Sequence, residues 1–246
     1  MSIPSTARDG VNRVLRPFNV RVVRGQSDDP AIKPFLSARR TLAAARRAGL
    51  SLEDYIDNYS AAPGATAETV DALLRLADLG EHVERVCEIG PGSGRYSARV
   101  IAATHPDTYE IYETAGDWLP RLKALPNVVV QPADGHTLSA TADKSVDLVH
   151  AHKVFVYLPL VVTVGYLDEM ARVVRPKGVV AFDVVSENCL DDSTTSEWVS
   201  SGSTLYSMIS RSWLVDRLAE RQLSFLGSHF VPLSGGRTEL LVFRRD

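Results

Sequence analysis

Residues 86–97, VCEIGPGSGRYS, constrain the fold more than any other stretch of the chain. An apolar strand runs into Gly90, Pro91, Gly92, Ser93 and Gly94, and helix-compatible residues follow. Three glycines in five positions let a backbone turn sharply and approach a ligand closely. Such a strand–loop–helix unit belongs to a parallel α/β sheet. There the loop lies at the carboxyl end of a strand, on the side where open sheets bind ligands.

The residues around the loop narrow the ligand. A dinucleotide fingerprint reads G-x-G-x-x-G, whereas here the third glycine is Gly94 and Arg95 follows it. A phosphate loop needs a Lys–Ser/Thr pair after its last glycine, and none is present. Glu88 stands two residues before Gly90. A carboxylate there repels a pyrophosphate but favours a ligand carrying an ammonium and a sulfonium. This points to S-adenosylmethionine (SAM) rather than NAD.

The rest of the chain keeps the rhythm the loop demands. Strands are expected at 83–90, 108–113, 127–131, 145–152 and 179–185, with helices at 66–79, 97–105, 116–125, 161–174 and 211–221. FLGSHFVPL and TELLVFR, joined by Ser234, Gly235 and Gly236, read as a closing β-hairpin. Residues 186–204 form a polar stretch rich in Ser and Thr. Short apolar strands alternating with helices predict a doubly wound α/β fold. Its sheet is mostly parallel and seven-stranded, with a C-terminal antiparallel hairpin. Residues 1–65 are expected to form a basic N-terminal arm and helical cap, with helices at 35–49 and 51–59. Residues 66–246 form the SAM-binding domain.

The second strand ends at Glu113, 23 residues after Gly90, near the offset of ~20 at which an acid accepts from ribose hydroxyls. The third leads to Asp134–Gly135, where a carboxylate can accept from the adenine amine. Against this stands a plain turn, since Asp–Gly is a common turn pair. With these elements in order, the chain resembles the class I SAM-dependent methyltransferases. The resemblance covers about residues 66–246. It rests on VCEIGPGSG, Glu113, Asp134–Gly135, DLVHAH at 147–152 and YLDEMARVVRPKGVVAFD at 166–183. It implies that Glu88, Gly90, Pro91, Gly92 and Gly94 line the methionine end of the cofactor, with Glu113 at the ribose and Asp134 and Gly135 at the adenine.

Chemistry is expected where the fourth strand ends, at His150-Ala151-His152-Lys153. In the family this end faces the methyl group. Methyl transfer needs positioning above all, and a hydroxyl acceptor must also lose its proton. His150 and His152 alternate along a strand and so point the same way. His152 is read as general base or substrate contact, and His150 as a cofactor contact or second base candidate. No third ligand stands nearby, so no metal is expected. Lys153 is a substrate contact or, more simply, solvated. Tyr157 lines the substrate or packs. Tyr59, four residues from Tyr55 on a short helix, is a cofactor contact or core residue. Trp198 and Tyr206 offer an aromatic floor to a substrate or belong to the core.

Charge divides the chain. Residues 1–50 carry ten Arg and Lys against three Asp, so the remainder must hold an acidic excess to reach the net −3. Residues 11–24 interleave arginines with Val, Leu and Phe, although Pro17 interrupts any helix. Docking on the acidic body of its own or a neighbouring subunit is the first reading of this arm, and an anionic membrane surface the second. Nucleic acid comes third, because no recognition module is visible. No run approaches the ~20 apolar residues of a membrane span. Two unrelated cysteines fit a reducing, cytoplasmic setting, in contact with the membrane at most from its inner face. The expected partner is a small-molecule or glycan acceptor, and a homodimer is admitted. The expected activity is O-methylation of a sugar or glycolipid hydroxyl. N- or carboxyl-methylation of a small metabolite is the alternative. A NAD-dependent oxidoreductase and a non-catalytic SAM-binding protein are the remaining ones.

Overall fold

The computed structural model of the protein describes residues 37–202 and 207–246. The arm at 11–24 and Tyr206 therefore lie outside the described residues. Seven strands form one sheet: β1 Arg85–Ile89, β2 Thr108–Tyr112, β3 Val128–Val130, β4 Val146–Ala151, β5 Val174–Val184, β6 Leu223–Leu233 and β7 Gly236–Arg245. Their order is β3-β2-β1-β4-β5-β7-β6. The first five pair in parallel, and β7 runs antiparallel to both β5 and β6.

Alternation along each strand divides the core in two. Cys87, Ile89, Val149, Val180 and Phe182 face one side, where α6 (Leu160–Val173) and α8 (Arg211–Ala219) cover them. Val86, Tyr109, Leu148, Val179 and Ala181 face the other, under α3 (Ala65–Ala77) and α4 (Arg95–Thr104). All six residues of β4 are buried, as expected of a strand covered on both faces. Each fully buried Leu, Val or Phe contributes about 1.5–3 kcal/mol.

Among the described residues two helices precede α3. In α1 (Ala38–Ala48), Ala38, Thr41 and Ala45 are buried, and the first backbone N–H donates to Asp117 Oδ2 at 2.8 Å. Helix α2 (Leu52–Ser60) is capped by Ser51, which accepts from the Asp54 N–H. Asp57 of α2 is buried and accepts from both the backbone N–H and the hydroxyl of Thr66. The Ser60 carbonyl accepts from Ser234 N–H at 2.9 Å, which ties α2 to the hairpin turn.

Some expectations need correction. The helix expected at 116–125 is a 3₁₀ turn, Gly116–Trp118, and a single α-turn, α5 (Leu119–Leu122), with Pro120 limiting its start. The strand at 127–131 shortens to three residues, and β5 begins at Val174, directly after α6. The polar stretch at 186–204 contains a helix, α7 (Asp192–Ser201), preceded by a 3₁₀ turn, Glu187–Cys189. Asp191 starts α7 by accepting from the Thr194 N–H at 2.7 Å.

Candidate cofactor and methyl-transfer site

The sheet reverses its order between β1 and β4. The crevice at the carboxyl ends of these strands is where open α/β sheets take ligands. Gly90 opens the loop with φ +62°, and a Cβ there would stand 2.8 Å from Val154 Cγ2. Gly94 closes it at φ +75°, where a Cβ would meet Leu122 Cδ2 at 2.9 Å. Between them the loop is braced from β2's end. Glu113 accepts from Gly92 N–H through Oε2 and from Ala115 N–H through Oε1, both at 2.6 Å. A Cβ on Gly92 would meet only the Gly90 carbonyl, at 4.0 Å, so a ligand can approach the backbone there. An open backbone at Gly92, between two acids at the strand ends, fits a cationic cofactor.

Beneath the loop a polar stripe crosses the sheet face under α4. Glu88 is buried, and its Oε2 accepts from Ser97 and from the Tyr109 hydroxyl, the latter at 2.8 Å. Burial pushes the Glu88 carboxyl up to about 7. The Tyr109 oxygen also lies 2.8 Å from His150 Nε2. A hydroxyl has one proton, so with Glu88 ionised His150 donates through Nε2 and keeps Nδ1 bare. That Nδ1 has no partner among the described residues. Burial, then the neighbouring His152, holds His150 well below the usual histidine range.

His152 sits on the same face, its ring 5.1 Å from His150 and 4.7 Å from Tyr96. Both its ring nitrogens are buried without a hydrogen-bond partner among the described residues. Burial lowers it to about 4, although Asp183, with Oδ1 4.0 Å from His152 Nδ1, works against that shift. His152 is therefore neutral at neutral pH. Arg95, at the start of α4, lies over the Tyr96 ring at 4.7 Å, and its Nε stands 3.9 Å from Asp57 Oδ1 without making a hydrogen bond. Buried polar atoms almost always find partners, so such a cluster of bare donors and acceptors suits a polar ligand group.

Several sequence-predicted residues are placed differently. Lys153 is not solvated but engaged within the fold. Its Nζ pairs with Asp183 Oδ2 at 3.2 Å and donates to Thr238, and its N–H donates to Asp183 Oδ1 at 2.6 Å. Trp198 takes the core placement of its two readings. It packs from α7 against the hairpin turn near Gly236, and its Nε1 donates to the Ser234 carbonyl. Tyr59 is 71% exposed and stacks on Tyr55 instead of entering the core. Asp134 forms the turn: it accepts from His136 N–H, Thr137 N–H and the Thr137 hydroxyl, which lower it to about 2. Gly135, at φ +81°, continues that turn. Tyr157 is 42% exposed just before α6. Pro91 accepts from Gly94 N–H inside the loop. Asp183, Tyr96, Tyr109 and Asp57 were not anticipated, and Arg95 was read only as a missing fingerprint glycine. The acid in the middle of VVAFDVV was the available signal, because a carboxylate in a buried strand must have a partner.

Residues 62–226 match the methyltransferase domain family, about two-thirds of the chain. Comparison with curated proteins found no match. Among solved structures, the chain is similar to magnesium protoporphyrin IX methyltransferase from Synechocystis, determined with bound S-adenosylhomocysteine. The TM-score is 0.59 at 12% identity, covering 86% of this chain and 96% of that one. The N-methyltransferase NodS from Bradyrhizobium japonicum, also with S-adenosylhomocysteine, aligns with TM-score 0.56 at 16% identity over 83% and 98% of the two chains. The cyclase SpnF shares the fold as well, with TM-score 0.54 at 15% identity over 72% and 80%. At these identities the likeness speaks for the fold. With the family match and the glycine loop at the sheet's switch point, it makes this chain a member of the methyltransferase domain family, within the class I SAM-dependent methyltransferases.

Proposed function

We propose that the protein transfers the methyl group of SAM to a hydroxyl, with His152 taking up the acceptor's proton. The observation that carries this reading is the neutral, buried His152, whose two ring nitrogens have no partner among the described residues. When bound, SAM supplies a methyl group on a sulfonium, open to in-line displacement. The residues fit to receive it are the open backbone at Gly92 with Glu113 braced beside it, and Glu88 beneath the loop.

His152 can accept a proton through the nitrogen turned to the acceptor while Asp183 stabilises the imidazolium from 4.0 Å. Its low basicity in the resting protein suits this order of events. A proton arriving at His152 adds one positive charge as the sulfonium's charge disappears with the transferred methyl. The buried site thus keeps its total charge, and no group has to ionise alone in low dielectric.

The acceptor we favour is a sugar or glycolipid hydroxyl, a reading supported by the basic, apolar leader at residues 11–24. One observation favours an amine instead. A group titrating at about 4 is a weak base, and a neutral amine attacks before it loses its proton. Labelled SAM incubated with paired hydroxyl and amine acceptors separates the two. The hydroxyl reading expects an alkali-stable ether product and a His152→Ala variant that binds SAM yet transfers ~10²–10⁴-fold more slowly. Transfer to amines alone, or a fully active variant, overturns it.

A further inference from the structure

Helix α1 carries a charge pattern that methyl transfer does not use. Arg39, Arg40, Arg46 and Arg47 are exposed, while Ala38, Thr41 and Ala45 turn inward. Arg39 and Arg46 are seven residues apart, as are Arg40 and Arg47. Two turns bring each pair onto one side of the helix, about 10 Å apart along its axis. The helix contains no acid.

Elsewhere in the fold many arginines meet an acid, although exposed Arg75 has no such partner among the described residues. Arg85 meets Glu110, Arg99 meets Glu53, Arg172 meets Glu169, and Arg217 and Arg221 share Asp168. None of the four side chains on α1 has an ion pair or hydrogen bond among the described residues. The nearby acids are engaged otherwise: Asp117 by the Ala38 N–H, Glu53 by Arg99 and Asp54 by Ser51.

We propose that this face of α1 docks the protein on an anionic lipid bilayer. Four arginines on one short helix, without an acidic partner among the described residues, match the clustered basic charge that acidic headgroups attract. Apolar groups favour lipid over nucleic acid. Leu50, just past the helix, is 39% exposed, and the sequence at 11–24 interleaves arginines with Val, Leu and Phe. No helix among the described residues is long and apolar enough to cross a membrane, so the contact is peripheral. It brings the crevice to acceptors held at a membrane surface.

Co-sedimentation of the full chain with vesicles tests this. Binding is expected to phosphatidylcholine vesicles containing phosphatidylglycerol, not to phosphatidylcholine alone, and it should weaken as salt is raised. The variant Arg39→Gln/Arg40→Gln/Arg46→Gln/Arg47→Gln should bind at least about tenfold more weakly, since each basic group near the surface contributes about fivefold. Its melting temperature and SAM affinity should match the parent's, because the four side chains are exposed and have no partner among the described residues. Equal binding by the variant, or no binding by the parent, overturns the proposal. So does binding of duplex DNA or RNA, lost in the variant, without binding to vesicles.

Discussion

Lys153 and Asp183 form a buried ion pair between the ends of neighbouring strands, Nζ to Oδ2 at 3.2 Å, with the Asp183 side chain fully enclosed. Lys153 itself stands at φ +56°, a left-handed conformation unusual for a residue with a side chain. The pair therefore fixes the turn that carries His152. Replacing Lys153 by Met should cost ~3–5 kcal/mol, because Asp183 is left charged and unpaired. Adding Asp183→Asn should recover much of that. Denaturant unfolding of the two single variants and the double variant measures the coupling. Additive losses would show that the pair does not hold the turn.

Glu88 links stability to pH in an identifiable window. Its carboxyl titrates at about 7 in the folded protein against 4.5 for the ordinary group. Between these values the native state holds a proton that the unfolded chain has released. Its contribution is complete below pH 4.5 and disappears as pH rises through about 7. His152, lowered to about 4, acts in the opposite direction: its contribution is present above 6.5 and is lost as pH falls towards 4. Relative to the parent, Glu88→Gln should gain about 3 kcal/mol as pH rises from 4.5 to 7. Thermal or urea melts across that range read it, and a pH-independent difference would deny the elevated carboxyl.

Gly90→Ala tests the loop. The added methyl would stand 2.8 Å from Val154 Cγ2 on a backbone at φ +62°. Expected are a loss of ~1–3 kcal/mol and a marked fall in SAM affinity by calorimetry. Val154→Ala in the same background relieves the contact but not the backbone, so recovery should be partial. Full recovery would assign the whole effect to the side-chain contact.

Trp198 separates scaffold from site. It is 9% exposed and is anchored to the Ser234 carbonyl. Trp198→Ala should cost about 3–5 kcal/mol in unfolding while the folded fraction binds SAM as before. A change in acceptor KM at unchanged stability would restore it to the substrate wall.

What the residues disclosed in advance follows from range. Gly90, Gly92 and Gly94 form a local pattern, and their strand and helix neighbours are local too, so the loop and the α/β sheet could be read directly. The direction of His150 and His152 followed from strand alternation alone. Lys153 could not be placed this way, since its partners lie 30 and 85 residues further on. Helix α7 was missed because its Ser- and Thr-rich turns carry little apolar periodicity. Its one local sign, Asp191 three residues before Thr194, is equally common in turns. Tyr59 shares a helix face with Tyr55, but spacing does not say whether that face is covered.

The strand order has a consequence for how the chain is made. Strand β7 follows every other described strand in sequence, yet it takes an interior seat between β5 and β6. A polypeptide leaving the ribosome therefore displays the free edge of β5 until Arg245 has emerged. For that interval two unpaired edges, those of β5 and β6, stand with their hydrogen-bonding groups open. Arrival of β7 closes the sheet, brings with it the tie from the hairpin turn back to Ser60, and leaves β3 and β6 as its edge strands.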